Sequence, residues 1–286
     1  MNRPTRRMGL VATAAVVAGC GGGMPLMHPA HPLVPDQVSM GAGVSHTLAL
    51  GEADEQIQAA RRAAEPAGTS QGPDAKTRVL TGALAYASSA PGLAPWVGAR
   101  AGLGWDSDAG VTYSGRSARV DARHAFVDES LALSVGAGAR GLLSRPGSDG
   151  GGSRNEPISG VDTGGLTGFG FDVPLIVGYR SAADLLQAYG GLRGDFERVF
   201  GDVRLRNADP SLDESVEVSV SRVGGSALVG LVVGVPPFWI VLEGSVGVIH
   251  GRGSFEVREQ TGSTERVSSR FTAPTVSPAG ALVTRF

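Results

Sequence analysis

The chain has 286 residues, with 25 basic side chains against 27 acidic ones, 44 glycines and a single cysteine. This near balance, with Lys76 as the only lysine, leaves no polybasic segment and excludes a nucleic-acid-binding reading. One cysteine excludes an internal disulfide framework, and beyond the first 20 residues no apolar run is long enough for a membrane-spanning helix.

Residues 1–19 read as an export leader. Arg3, Arg6 and Arg7 make a basic start, and Met8 to Ala18 is an uncharged, mostly apolar run too short to cross a bilayer. Ala18 and Gly19 then lead into Cys20. This layout resembles the lipobox of bacterial lipoprotein signal peptides. The resemblance implies a covalent lipid on Cys20, with no other cofactor, and Gly21 after it implies the outer membrane rather than the inner one. A lipidated Cys20 has no thiol left for a metal or for catalysis. Residues 20–36 include MPLMHPAHPLVPD, which is proline-rich and lacks periodicity, and read as a tether. His28 and His31 fall within it.

From Val38 to Leu50 the chain alternates with period two, the mark of a strand with two different faces. The next segment, GEADEQIQAARRAAE, has Ile57, Ala60 and Ala64 on one side and reads as a short helix in a loop. Leu80, Leu84 and Tyr86 suggest a second strand. Clear alternation returns at 97–105, 118–126, 131–139, 169–179 and 238–248, with weaker strands near 185–194, 216–235 and 270–286, which makes ten.

Short turns are expected around Pro91, Asp128, Ser181 and Pro236, and long polar links at 51–75, 144–165, 195–215 and 251–268; only Asp106 to Ala109 breaks the alternation of short and long. Aromatic residues cluster at strand ends. Tyr86, Trp96, Phe126, Tyr179, Phe238 and Phe286 fall toward the short turns; Trp105, Tyr113, Phe169, Phe171, Phe196 and Phe271 fall toward the long loops. Two interfacial girdles produce such a pattern.

With these features, and with the ending ALVTRF, residues 37–286 resemble the small Gram-negative outer-membrane β-barrel proteins. The resemblance implies an all-β fold: a closed, antiparallel, up-and-down transmembrane barrel of about ten strands with short periplasmic turns and long extracellular loops. It also implies that Phe286 is read by the barrel-assembly machinery, and that the N-terminus is periplasmic and lipid-anchored. The rival fold is a lipid-anchored soluble barrel with the faces reversed.

One face of the alternation carries Arg100, Arg119, Asp121, Arg123, Arg140, Asp172, Arg193 and Glu243 among Gly and Ser. These are expected to line the lumen as a paired polar network, with Glu243 and Asp172 bound to arginines of other strands. The segments GDVRLRNADPSLDESVE and SRPGSDGGGSRNEPISG read as solvated loops, since their carboxylates match no calcium-loop spacing. His46, His124 and His250 share faces with apolar residues, and Ser45 points away from His46. His250 has the option of meeting Asp106 or Asp108 at a rim. The expected function is a non-enzymatic envelope-structural or surface-interaction protein. It would contact outer-membrane lipid and an extracellular partner through its loops. A small channel and a lipid or peptide hydrolase are the alternatives.

Overall fold

The computed structural model describes residues 24–64, 73–115, 117–143, 158–206, 213–258 and 264–286. The leader, Cys20 and most of SRPGSDGGGSRNEPISG lie outside them.

Ten strands close into a ring: β1 Val38–Ala49, β2 Gly92–Gly104, β3 Ser107–Ser114, β4 Ser117–Asp128, β5 Leu131–Leu142, β6 Val161–Arg180, β7 Leu186–Leu205, β8 Glu214–Val235, β9 Phe238–Arg258 and β10 Thr264–Arg285. Each pairs antiparallel with its chain neighbours, and β1 closes on β10, with Ser39 opposite Arg285 and Ala49 opposite Thr275. Val38 and Phe286 exchange both backbone hydrogen bonds, at 2.9 and 3.0 Å, so the ring is sealed to its last residue.

The faces have the sign of a membrane barrel. On β9, Ile240, Leu242 and Val246 are 57%, 54% and 58% exposed, whereas Trp239, Val241 and Glu243, of the opposite phase, are buried. An outer wall of exposed Val, Leu, Ile and Phe is disfavoured in water and suited to lipid. The soluble rival requires the opposite phase. From Ile240 to His250 this wall rises about 25 Å, at roughly 3.3 Å per residue and a tilt near 40°.

The structure corrects the expected second strand. Leu80, Leu84 and Tyr86 lie on a helix, α2 (Pro73–Ser89), which follows α1 (Glu52–Ala64) between β1 and β2. The spacing of Val79, Leu80, Ala83, Leu84 and Ala87 is helical, and these residues are buried together. The tenth strand is instead β3, whose short, polar sequence hides its alternation. Pro91 therefore lies at the long-loop end. The tight turn at Trp105 and Asp106 joins β2 to β3 at the short-turn end, and the short link at the opposite end runs from Ser114 to Ser117.

Strands β6–β10 also run further than expected, into the segments 195–215 and 251–268, and outreach β1–β5. The α1–α2 hairpin fills the space inside this taller wall. Ile57, Leu80 and Leu84 pack in one core with Val199, Val218, Phe255 and Phe271. Phe271 and Trp96 thus face inward and Tyr86 sits on α2, so none belongs to a girdle. Trp105 is 91% exposed at the short-turn rim with Phe126, Tyr179, Phe238 and Phe286. The opposite girdle consists of Tyr113, Phe169, Phe171, Phe196 and Phe200.

The two helices touch at Gly82, where an added Cβ would lie 2.3 Å from the Ala60 Cβ and 2.6 Å from the Gln56 carbonyl. Gly82→Leu is expected to cost about 1–3 kcal/mol of hairpin docking. Hydrogen exchange should show α1 and α2 amides opening earlier while the β1–β5 amides keep their protection.

Candidate functional site: the closed lumen

All eight sequence-selected lumen residues turn inward, and they do not stand alone. Arg123 donates from Nε and Nη2 to Asp108 at 2.8 and 2.7 Å. Arg100 lies 3.5 Å from the same Asp108 and reaches Asp121 at 2.9 and 3.0 Å. Arg119 contacts Asp121 and grips Asp172 with both arms, at 2.8 and 2.7 Å. Arg193 meets Asp172 at 3.1 Å. Higher in the barrel, Arg140 bridges Asp195 at 2.9 Å and Glu197 at 2.7 Å, and Arg222 meets Glu197 at 3.1 Å. Arg222 also donates to the Ser88 carbonyl at 2.6 Å, which ties the C-terminus of α2 to the network. β2, β5 and β8 supply arginines, β3 and β6 aspartates, and β4 and β7 both signs, so the pairs form a ladder that climbs diagonally across β2–β8.

Asp195, Glu197 and Arg222 are not among the lumen residues expected from the sequence, and Asp108 is expected only as a rim partner of His250. The inward phase of their strands was the available signal. For Asp108, Asp195 and Glu197 it is obscured because the polar β3 hides its alternation and 195–215 reads as a loop; for Arg222 it is obscured by the weak alternation of 216–235.

Glu243 departs from expectation. It faces the lumen, but among the described residues no arginine lies within ion-pair distance of it. Its carboxylate accepts the backbone N–H of Leu26 at 2.9 Å, that of Met27 at 2.8 Å and the Tyr189 hydroxyl at 2.9 Å. Those three donors occupy the oxygens an arginine would need. Tyr189 reaches Glu243 by lying across Gly230, the residue between them on β8: a Cβ there would sit 2.0 Å from the tyrosine ring.

The donors at Leu26 and Met27 reveal a second departure. The part of the expected tether that the structure describes is not free. Residues 24–33 form an extended strap inside the barrel, with Leu26, Met27, Ala30 and Leu33 buried. Ala30 packs near Gly178, and Leu33 and Val34 pass so close to Gly102 that a Cβ there would meet the Val34 carbonyl at 2.0 Å. The ladder holds the strap backbone: Arg193 donates to the Met24 carbonyl at 2.6 Å, Arg123 to those of Pro29 and His31, and Asp108 accepts the Leu33 N–H at 3.1 Å. His28 accepts from Arg123 through Nδ1 at 2.8 Å. Burial, helped by the Arg123 charge, holds this imidazole well below its ordinary range and keeps it neutral.

The strap from below, the ladder at mid-height and the helical hairpin from above leave little room. One remaining space, lined by Met24, Arg193, Asp195 and Glu243, is about 80 Å³, and two others are about 40 and 50 Å³. These suit ordered water rather than a solute.

The outward histidines gather no catalytic set. His250 is far from Asp106 and Asp108; its Nδ1 lies 3.1 Å from Thr272 Oγ1. His124 Nδ1 is 3.0 Å from Ser107 Oγ, but that hydroxyl also donates to the Trp105 carbonyl at 3.0 Å, and the imidazole stacks edge-on with Phe126 at 5.0 Å. These contacts bind the β2–β3 turn to β4.

No protein-family model and no curated protein matches the chain. Among solved structures it is similar to Neisserial surface protein A (11% identity, TM-score 0.32, covering 87% of this chain and 97% of that one). It is also similar to the outer membrane protease OmpT from Escherichia coli (7%, 0.39, 88% and 97%). A third is a major outer membrane protein from Thermus thermophilus (11%, 0.34, 87% and 99%).

Two outcomes are expected with refolded, unacylated protein. Glu243→Ala leaves the Leu26, Met27 and Tyr189 donors without an acceptor, at about 1–3 kcal/mol each if they stay buried. The strap should therefore leave the lumen, becoming open to proteinase K while the strands remain folded on a cold gel. Acid should act in the same direction. With the His28 pKa depressed in the docked state, docking is fully favoured above the unfolded value near 6.5 and weakens as pH falls below it. Proteolysis of the strap should rise between pH 7 and 5, and His28→Gln should flatten that dependence.

Proposed function

We propose that this chain is a non-enzymatic outer-membrane lipoprotein, a barrel with a closed lumen that serves the envelope structurally or presents its long-loop end to a partner. The observation that carries this reading is the combination of an apolar outer wall with a lumen whose charges pair with one another. A conducting pore needs a continuous wet path, whereas here the arginines contact carboxylates, strap carbonyls or the end of α2. A lipid or peptide hydrolase needs a base oriented toward a nucleophile and a pocket beside it. Ser107 and His124 serve a turn instead. Phe286, 65% exposed at the seam of the ring, is suitably placed for the assembly machinery to grasp.

The lipid on Cys20 and the docked strap compete for one stretch of chain. Met24 is held by Arg193, roughly 18 Å above the short-turn rim at 3.3 Å per residue and a tilt near 40°. The chain from Cys20 to Met24 reaches about 14 Å at most. An acyl-anchored Cys20 therefore draws the strap out, and the ladder and hairpin alone must close the lumen.

Both points can be tested in reconstituted membranes. Acylated protein and Cys20→Ala should both insert and both be silent in a planar bilayer. The strap should be proteinase-sensitive only in the acylated form. Steady single-channel current from either form would replace the closed-lumen reading with a channel. Loss of Cys20→Ala to the aqueous fraction would make the lipid the sole anchor.

A further inference from the structure

Above the lipid-facing wall, the taller strands carry a second ordered pattern that the lumen does not use. The cross-strand register places Phe171, Phe196, Val223, His250 and Thr272 in one outward row, the upper edge of the apolar belt. The next row toward the loops contains Arg198, Ser221, Arg252 and Arg270. All three arginines are exposed. Arg252 and Arg270 are directly opposite each other on neighbouring strands.

Two like charges at directly opposed positions destabilise a sheet. Among the described residues no carboxylate lies within ion-pair distance of Arg198, Arg252 or Arg270. The row beyond them is Phe200, Ser219, Ser254 and Ser268, and acidic side chains such as Glu217 and Glu256 come only after that. On the outward face of these strands the nearest acids therefore lie about 13 Å further along, at roughly 3.3 Å per residue; Glu52 of α1 comes closer to Arg270, but its carboxylate accepts the Thr272 N–H at 2.7 Å. The arginines stand at the upper edge of the aromatic girdle, in the row that also holds Phe169 and one row below Phe200, at the height where headgroups begin.

We propose that this arginine row binds the phosphate of a lipid headgroup in the leaflet on the long-loop side, a reading that rests on the barrel being membrane-embedded. Two guanidinium forks rising from strands whose backbones run about 4.8 Å apart can both reach one phosphate, each through bidentate bonds. The anion removes the repulsion that the bare pair suffers. Arg198, two strands away at about 10 Å, provides a second phosphate position in the same row.

The test uses phosphatidylcholine vesicles containing a small fraction of diphosphorylated lipid A. Floated protein is extracted into mild detergent, and retained lipid A is counted by native mass spectrometry. Arg252→Gln/Arg270→Gln should retain at least tenfold less than the unmodified protein. Arg62→Gln/Arg78→Gln, which removes the same charge from the helical hairpin, should retain as much as the unmodified protein. Equal retention by the row variant, or equal losses from both variants, would overturn the proposal. Flotation with pure phosphatidylcholine vesicles separates the two readings. Protein that fails to float there refutes the membrane reading itself, whereas protein that floats but retains lipid A independently of Arg252 and Arg270 refutes only the arginine row.

Discussion

Closure of β1 on β10 is the constraint from which the rest follows. A strand edge in hydrocarbon leaves backbone groups unpaired at several kcal/mol each, so the ring must be complete. Completing it with ten strands fixes a narrow interior, because barrel diameter grows with strand number. Every second residue then points into a confined space without bulk water. Arginine and aspartate are tolerated there only as partners, and the Arg119–Asp172 grip, with Arg193 on the same carboxylate, shows how tightly the partners are shared.

The two halves of the ring solve different problems. β1–β5 are about as long as a bilayer requires, whereas β6–β10 continue past it. Above the girdle the outer face of the tall strands turns polar, with Asp202, Glu217 and Glu256. Their inner face stays apolar, with Val199, Val203, Val218 and Phe255. That is the patterning of a soluble sheet with one buried side, and α1 and α2 supply the apolar partner. The molecule is thus a membrane barrel below and a sheet-and-helix core above, built from the same strands.

This division explains what was legible in the sequence. Within the bilayer, alternation of Ile240, Leu242 and Val246 with Glu243 and small residues gave the phase directly, and all eight chosen lumen residues face inward. Above it the outward positions are polar, so segments such as 195–205 read as loops. α2 was misread because Leu80, Leu84 and Tyr86 satisfy period two by skipping Gly82, while Val79 and Ala83 complete a helical stripe. The strap was beyond local reasoning. MPLMHPAHPLVPD has no period because its partners come from β3, β4, β7 and β9, which only closure brings together.

An extended segment inside a barrel has no strand beside it, yet its N–H and C=O groups are buried and need partners. The ladder meets that need with the valences its ion pairs leave over. A guanidinium has five donors and its carboxylates take only some, so Arg193 and Arg123 can spare N–H groups for the Met24, Pro29 and His31 carbonyls. A carboxylate has about four acceptor sites, so Asp108 can hold Arg123 and still accept from Leu33. Glu243 completes the arrangement because it is not spent on an arginine. Were it gripped by both arms of an arginine, as Asp172 is by Arg119, too few sites would remain for the three bonds it now accepts from Leu26, Met27 and Tyr189. The same inward carboxylate, held by Tyr189 reaching across Gly230 and not by an arginine, converts a self-contained charge network into a docking track for the chain's own N-terminal segment.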